Sequence, residues 1–239
     1  LYSNVWKASK RPRAWSYLYL ISMSDMNKQA PQSEIDSVIE LFSNGYLDDA
    51  FNVVKILTKN FPQDPILHNI KGACYAGLGE LGSAVKSYEK AIAINPNYAR
   101  AYFNLGNAIH ELSLRGFGHL DDPINIYEKS LSIDPNYAEA HNNLGNIFKD
   151  LGRLDEALNS FKEAVRIRPN YAEALYSLGV VFFDLGQFDL AIDSYQKAIE
   201  INPNFSHAFN NIGNTYIEKD KLDLAIEFYQ KALKINSNY

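Results

Sequence analysis

Five histidines, at positions 68, 110, 119, 141 and 207, are the side chains best suited to hold a metal or move a proton, and their spacing argues against both. A helical zinc pair needs two histidines four residues apart around a glutamate, and His110-Glu111 has no second histidine at that distance. The lone cysteine, Cys74, excludes an internal disulfide and, lying between Gly72 and Tyr75, reads as a small buried residue. Asp121-Asp122 precedes Pro123, a combination that opens a helix: the carboxylates accept orphan N–H groups and proline loses nothing in the first turn. The glycines form no phosphate-binding loop, so neither a catalytic constellation nor a metal or cofactor site is expected. The recurrent chemistry is that of amides. Asn104, Asn143 and Asn211 share one position of a repeated pattern, and Asn107, Asn146 and Asn214 share another three residues on. Asparagine is a poor helix former, so its recurrence asks for a use of its paired donor and acceptor.

The elements carrying these amides repeat. Leu144-Gly145-Asn146, Leu178-Gly179-Val180 and Ile212-Gly213-Asn214 are 34 residues apart, preceded by Leu105-Gly106-Asn107. Pro62, Pro96, Pro135, Pro169 and Pro203 are separated by 34, 39, 34 and 34, one unit copied with a single five-residue insertion. Such a period means stacked modules rather than one globular core. Within the clearest copy, Leu144, Gly145 and Phe148 share a face of a first helix. After a turn at Gly152-Arg153, Leu154, Ala157, Leu158, Phe161, Ala164, Val165 and Ile167 line a second. Gly145 and Ala157 mark a close crossing of the two helices, and Ala164 the contact with the following unit. Asn136 and Asn170 are expected to cap the next first helices, with Glu139 and Glu173 three residues on.

The run His141-x2-Leu144-Gly145-x2-Phe148, then Ala157-x3-Phe161, then Pro169, resembles the tetratricopeptide repeat, with His141 where that motif prefers a large aromatic. The resemblance returns at Tyr102, Leu105, Gly106, Tyr127 and Pro135. It appears again at Leu178, Gly179, Phe182, Ala191, Tyr195, Ala198 and Pro203, and at Ile212, Gly213, Tyr216, Ala225, Tyr229 and Ala232, where Ser237 replaces the proline. It implies an all-α, right-handed α-solenoid of antiparallel helix pairs in about six units: 31–64, degenerate, with Val38 where the small glycine belongs; 65–98, where Lys71 shifts the apolar contact to Ile70; 99–137, with the insertion; 138–171; 172–205; and 206–239.

In the family's fold the first helices line the concave side, which places the amide rows along a groove. The arrangement is similar to the asparagine ladder in the repeat arm of O-linked N-acetylglucosamine transferases. Two roles stand open: holding the backbone of an extended peptide, or bonding between neighbouring helices, with Ile70, Ala73, Ser177 and Val180 interrupting the rows. Further groove candidates are Arg100, Phe103, His110, Asn142, Lys149, Tyr176, Phe183, His207 and Asn210. Phe103, Glu173 and Ser177 stand where the cations of an acidic-tail clamp would align with Asn107 and Asn143, which argues against such a clamp.

A net charge of −5 with interspersed signs argues against nucleic acid or an anionic membrane as main partner. Residues 1–30 lie outside the repeats; Trp15 to Ile21 is too short an apolar run to span a bilayer, and the start at Met23 suggests that residues before it are not native. Tyr239 occupies the position of Tyr98, Tyr137, Tyr171 and Phe205, so the array is expected to continue in a longer protein. The insertion around residues 113–119 lengthens a turn, and Phe117 is expected to fold back on its own repeat. The expected function is a non-catalytic, cytoplasmic scaffold binding a peptide or partner protein. The alternative is the substrate-recruiting arm of a larger transferase, of the O-linked N-acetylglucosamine or sulfotransferase type, with its catalytic domain beyond Tyr239.

Overall fold

The computed structural model describes residues 29–118 and 121–236. The expectations for residues 1–28, His119, Ser237 and Tyr239 lie outside them. Twelve helices and no strand are present among the described residues: α1 (Gln32–Ser43), α2 (Leu47–Asn60), α3 (Pro65–Gly77), α4 (Leu81–Ile94), α5 (Ala99–Leu114), α6 (Asp121–Ile133), α7 (Ala138–Asp150), α8 (Leu154–Ile167), α9 (Ala172–Asp184), α10 (Phe188–Ile201), α11 (Ser206–Glu218) and α12 (Leu222–Ile235). Each odd-numbered helix packs on the even-numbered helix after it, and each even-numbered helix on the next odd one. The result is the right-handed α-solenoid that the repeat implies. First helices also touch first helices of adjacent units, as α3 touches α5 and α9 touches α11, whereas no second helix makes a comparable contact with another. In a curved stack the elements on the inner side crowd together, so this asymmetry puts the first helices on the concave face.

Each unit closes on one contact. A Cβ built on Gly72, Gly106, Gly145, Gly179 or Gly213 would lie 2.5–2.8 Å from a ring of the partner helix: Tyr88, Tyr127, Phe161, Tyr195 and Tyr229 in turn. The glycine is therefore a seat for an aromatic ring, and the ring holds the two axes at their crossing. Tyr127, Phe161 and Tyr195 are almost wholly buried, each contributing roughly 1.5–3 kcal/mol. The first unit reaches the same volume differently: Val38 stands at the glycine position and Val54 at the ring position, and both are fully buried in one cluster. Ile70 is buried beside exposed-edge Lys71, as the shifted contact requires. Cys74 is buried as expected, and burial pushes its thiol up to about 11.

Local corrections concern caps and turns. Asn136 and Asn170 are not the caps of α7 and α9; Tyr137 and Tyr171 hold those positions with no side-chain cap bond. Three interunit turns are instead closed from before the proline, where Asn95 Oδ1 accepts from Asn97 N at 3.0 Å, Asp134 Oδ1 from Asn136 N at 3.0 Å and Asn202 Oδ1 from Asn204 N at 3.2 Å. Glu139 is taken by Arg168 across the turn, so no capping box forms. Asp64 is an aspartate cap, fully buried, accepting from Ile66 N at 2.8 Å and Ala30 N at 2.9 Å. His68 and His141 do more than pack: their Nε2 atoms bond the Pro62 and Pro135 carbonyls at 2.9 and 3.0 Å, tying a first helix to the end of the helix before it. The turn within a unit needs a left-handed residue, supplied by Gly152 at φ 72° but by Asp220 at φ 54° in the last described unit. Phe117 does not fold back: it is 72% exposed, because the glycines beside it both adopt positive φ and carry the turn away from the pair.

Replacing Gly145 with leucine should displace the Phe161 ring and lower unfolding free energy by about 1–3 kcal/mol, read as the shift in urea midpoint; an unchanged midpoint would show that the ring is not held by the glycine.

Candidate functional site

The inner face is assembled from α1, α3, α5, α7, α9 and α11, and its amides are wired to one another. Asn104 Nδ2 donates to Asn69 Oδ1 at 2.9 Å, Asn143 Nδ2 to Asn107 Oδ1 at 2.8 Å, and Asn211 Nδ2 to the Tyr176 hydroxyl at 3.1 Å. The aromatic rings seated on the glycines extend the network: Tyr127 Oη donates to Asn107 Oδ1 at 2.6 Å and Tyr229 Oη to Asn214 Oδ1 at 2.7 Å. Interhelical bonding is thus one use of these amides, and each such bond contributes about 0.5–1.5 kcal/mol net.

The wiring follows a register rule. The donor on one first helix reaches the first helix before it 35 residues back, to Asn69 or Tyr176. For Asn143 the corresponding residue, allowing for the insertion, is Phe103, which accepts nothing. Asn143 turns instead to Asn107, 36 residues back. At the next step the donor position holds Ser177, too short to span the gap. Asn142, 6% exposed, is left with an Oδ1 that has no partner. In the same unit Phe161 replaces the tyrosine of its neighbours, so Asn146 receives no hydroxyl and forms none of the bonds seen at Asn107 and Asn214. Uncommitted amide groups are therefore gathered on α7.

The other expected residues are placed as follows. The Phe103 ring packs tilted on Tyr137 with centroids 4.7 Å apart and Tyr176 on Phe205 at 4.8 Å, joining a first helix to the residue before the next first helix, while Phe183 packs on Phe188 at 5.6 Å within one helix pair. Lys149 lies 3.5 Å from Asp150. Asn210 is half-buried on α11, and His207 is exposed with its ring edge to Phe205. His110 is half-buried, with an Nε2 that has no partner. A cleft of about 400 Å3 opens between α1, α3 and α5, lined by Ile39, Phe42, Asn69, Ile70, Ala73, Arg100 and Asn104 and closed at one edge by Tyr137. Asn69, Ile39 and Phe42 are not legible from the 34-residue period, since Asn69 answers Asn104 one residue out of register and the α1 residues lie in the divergent unit. Burial pushes the Tyr98 and Tyr137 phenols up, and the adjacent Arg100 guanidinium partly offsets both shifts.

Charge elsewhere is paired and mostly exposed: Arg115 with Glu111, Arg153 with Glu156, Arg166 with Glu163 and Arg168 with Glu139. Partial burial penalises the Glu139 carboxylate, yet Arg168 holds it below the usual carboxylate range. Among the described residues no three His, Cys, Asp or Glu side chains converge on a common point, and no helix is long and apolar enough to cross a membrane.

Known proteins place this geometry. A family model described as TPR repeat matches residues 62–113 and 145–186. Two described as Tetratricopeptide repeat match 172–205 with 207–239, and 126–159. Among solved structures, MamA is 29% identical, covering 70% of this chain and 94% of its own, with a TM-score of 0.63. YrrB, described as a TPR protein with an unusual peptide-binding site, is 24% identical over 78% of this chain and 93% of its own, with a TM-score of 0.64. Pseudomonas aeruginosa pilF shares the fold at 13% identity and a TM-score of 0.77, over 87% of this chain and 92% of its own. No curated protein matches the chain.

Asparagine in place of Ser177 should supply the missing donor to Asn142 Oδ1 and raise unfolding free energy by about 1 kcal/mol; a neutral or lower urea midpoint would refute the register rule. Stability should also fall in mild acid. Desolvation holds His68 and His110 below the ordinary imidazole value of 6.5, so protons bind the unfolded chain more readily. Their contribution is full above 6.5 and is lost as pH drops below it. The drop in melting temperature between pH 7.5 and 5.5 should shrink in His110→Gln; an equal drop would clear His110 of the effect.

Proposed function

Because the chain belongs to the tetratricopeptide repeat family, we propose that it is a non-catalytic scaffold holding an extended peptide, or an extended stretch of a partner protein, along the face built by its first helices. The observation that carries the reading is the gap in the amide wiring. Most asparagines of the inner face are spent on their neighbours, but around α7 the Asn142 Oδ1 and the Asn146 amide are not. An extended backbone offers N–H and C=O groups that match such an amide without demanding a side chain.

On this reading Asn143 and Asn146 meet the ligand backbone, and Asn142, whose Oδ1 is buried, lies beneath them. Arg100, Phe103, Asn104, Asn107 and His110 flank it on one side, and Lys149, Tyr176, Phe183, Asn210, Asn211 and Asn214 on the other. The description of YrrB as carrying a peptide-binding site supports a peptide ligand. The single cysteine and the acidic balance support a cytoplasmic setting and a protein partner.

Peptides selected from a random synthetic library on the full chain should shift the side-chain amide resonances of Asn143 and Asn146 in 15N spectra. Phe161→Tyr should weaken their binding about threefold or more by occupying Asn146, while raising the melting temperature. Shifts confined to second helices, or no peptide selected at all, would reject the proposal.

A further inference from the structure

The cleft between α1, α3 and α5 has a chemistry of its own. Its floor is apolar, from Ile39, Phe42, Ile70 and Ala73, and Ile39 is 45% exposed to it. Its rim is polar and uneven. Asn69 is spent on Asn104, whose own Oδ1 has no partner among the described residues. Arg100 stands beside these on the same helix as Asn104, exposed, between the Tyr98 and Tyr137 phenols.

The arginine is what distinguishes this cleft. Arg115, Arg153, Arg166 and Arg168 each pair with a glutamate, but Arg100 forms no ion pair among the described residues. The nearest acidic group acting on it, Glu139, is bound to Arg168. An arginine fork beside two tyrosine hydroxyls and left without a carboxylate is set to receive one, since a charged hydrogen bond to a planar anion matches its geometry. The apolar floor a few ångströms away requires that the same ligand bring a hydrocarbon side chain.

We propose that this cleft is a specificity pocket for an extended peptide carrying an aliphatic or aromatic residue within two positions of an internal aspartate or glutamate, the first filling the floor and the second pairing with Arg100. The proposal rests on the peptide-binding reading above and names its ligand class. An internal acidic side chain fits better than a chain terminus. Phe103, Glu173 and Ser177 replace the further cations that would gather around a terminal carboxylate. The unpartnered Asn104 Oδ1 then accepts from the ligand backbone between the two side chains.

Two synthetic libraries of random nonapeptides decide it, one acetylated and amidated, the other with a free carboxyl terminus, selected on the full chain with affinities measured by fluorescence anisotropy. Peptides from the capped library should carry Leu, Ile, Met, Val or Phe within two positions of Asp or Glu. Changing that acid to its amide should weaken binding about three- to tenfold on the native chain and less than twofold on Arg100→Gln, and Arg100→Glu should favour Lys or Arg at the same place. Should either variant melt early, the acid-to-amide comparison on the native chain decides alone. Capped peptides that bind with no acidic preference, or as well to Arg100→Gln, overturn this pocket but leave the scaffold reading standing. Binding only from the free-carboxyl library overturns the internal acid. Binding from neither overturns pocket and scaffold together.

Discussion

Everything in this molecule depends on an aromatic ring lying against a glycine. A helix pair of this length buries too little apolar surface to persist by itself, and the two axes must come close for its stripe to be covered at all. Five glycines permit that approach, and Tyr88, Tyr127, Phe161, Tyr195 and Tyr229 each fill the space so made. The first unit shows that the constraint is on volume and not on residue type, because Val38 and Val54 share between two medium side chains what the others divide between none and a ring. The degenerate appearance of that unit is a compensated exchange.

The same ring decides the inner face. A tyrosine seated on its glycine carries its hydroxyl to the far side, where it meets the asparagine following the glycine, as Tyr127 meets Asn107 and Tyr229 meets Asn214. A phenylalanine fills the space equally well and wires nothing. Core packing and groove chemistry are thus set by one atom, and where Phe161 lacks it the face around Asn146 is chemically open. Stability and capacity to bind compete for the same amides, so the units that hold each other most firmly have least to offer a ligand.

Charge divides in the same way. Arg115, Arg153, Arg166 and Arg168 are matched to glutamates one turn away or across their own helix pair, exposed pairs that contribute little in water. Arg100 stands apart on the inner face, between tyrosines and above an apolar cleft. Its value lies in what it lacks, since a guanidinium already neutralised by a glutamate draws a second carboxylate less strongly.

The amino-acid sequence by itself determined the repeat period, the helix pairing, the crossing glycines and the buried cysteine, because all of these follow from spacing within one unit, where helical geometry is local and fixed. It pointed to the amide rows but left their use open, and it misplaced the caps at Asn136 and Asn170 and the orientation of Phe117. Which asparagine is spent and which remains was decided only in the tertiary structure. The bonds of Asn104 and Asn211 join residues 35 apart, one more than the repeat, whereas that of Asn143, across the lengthened unit where the spacing is 39, joins residues 36 apart, three fewer, so each first helix is offset along its neighbour. A period counted along the chain records where units repeat and carries no trace of that offset, so the partner of Asn69, the unsatisfied Oδ1 of Asn142 and the unpaired charge of Arg100 emerge only when the units are stacked.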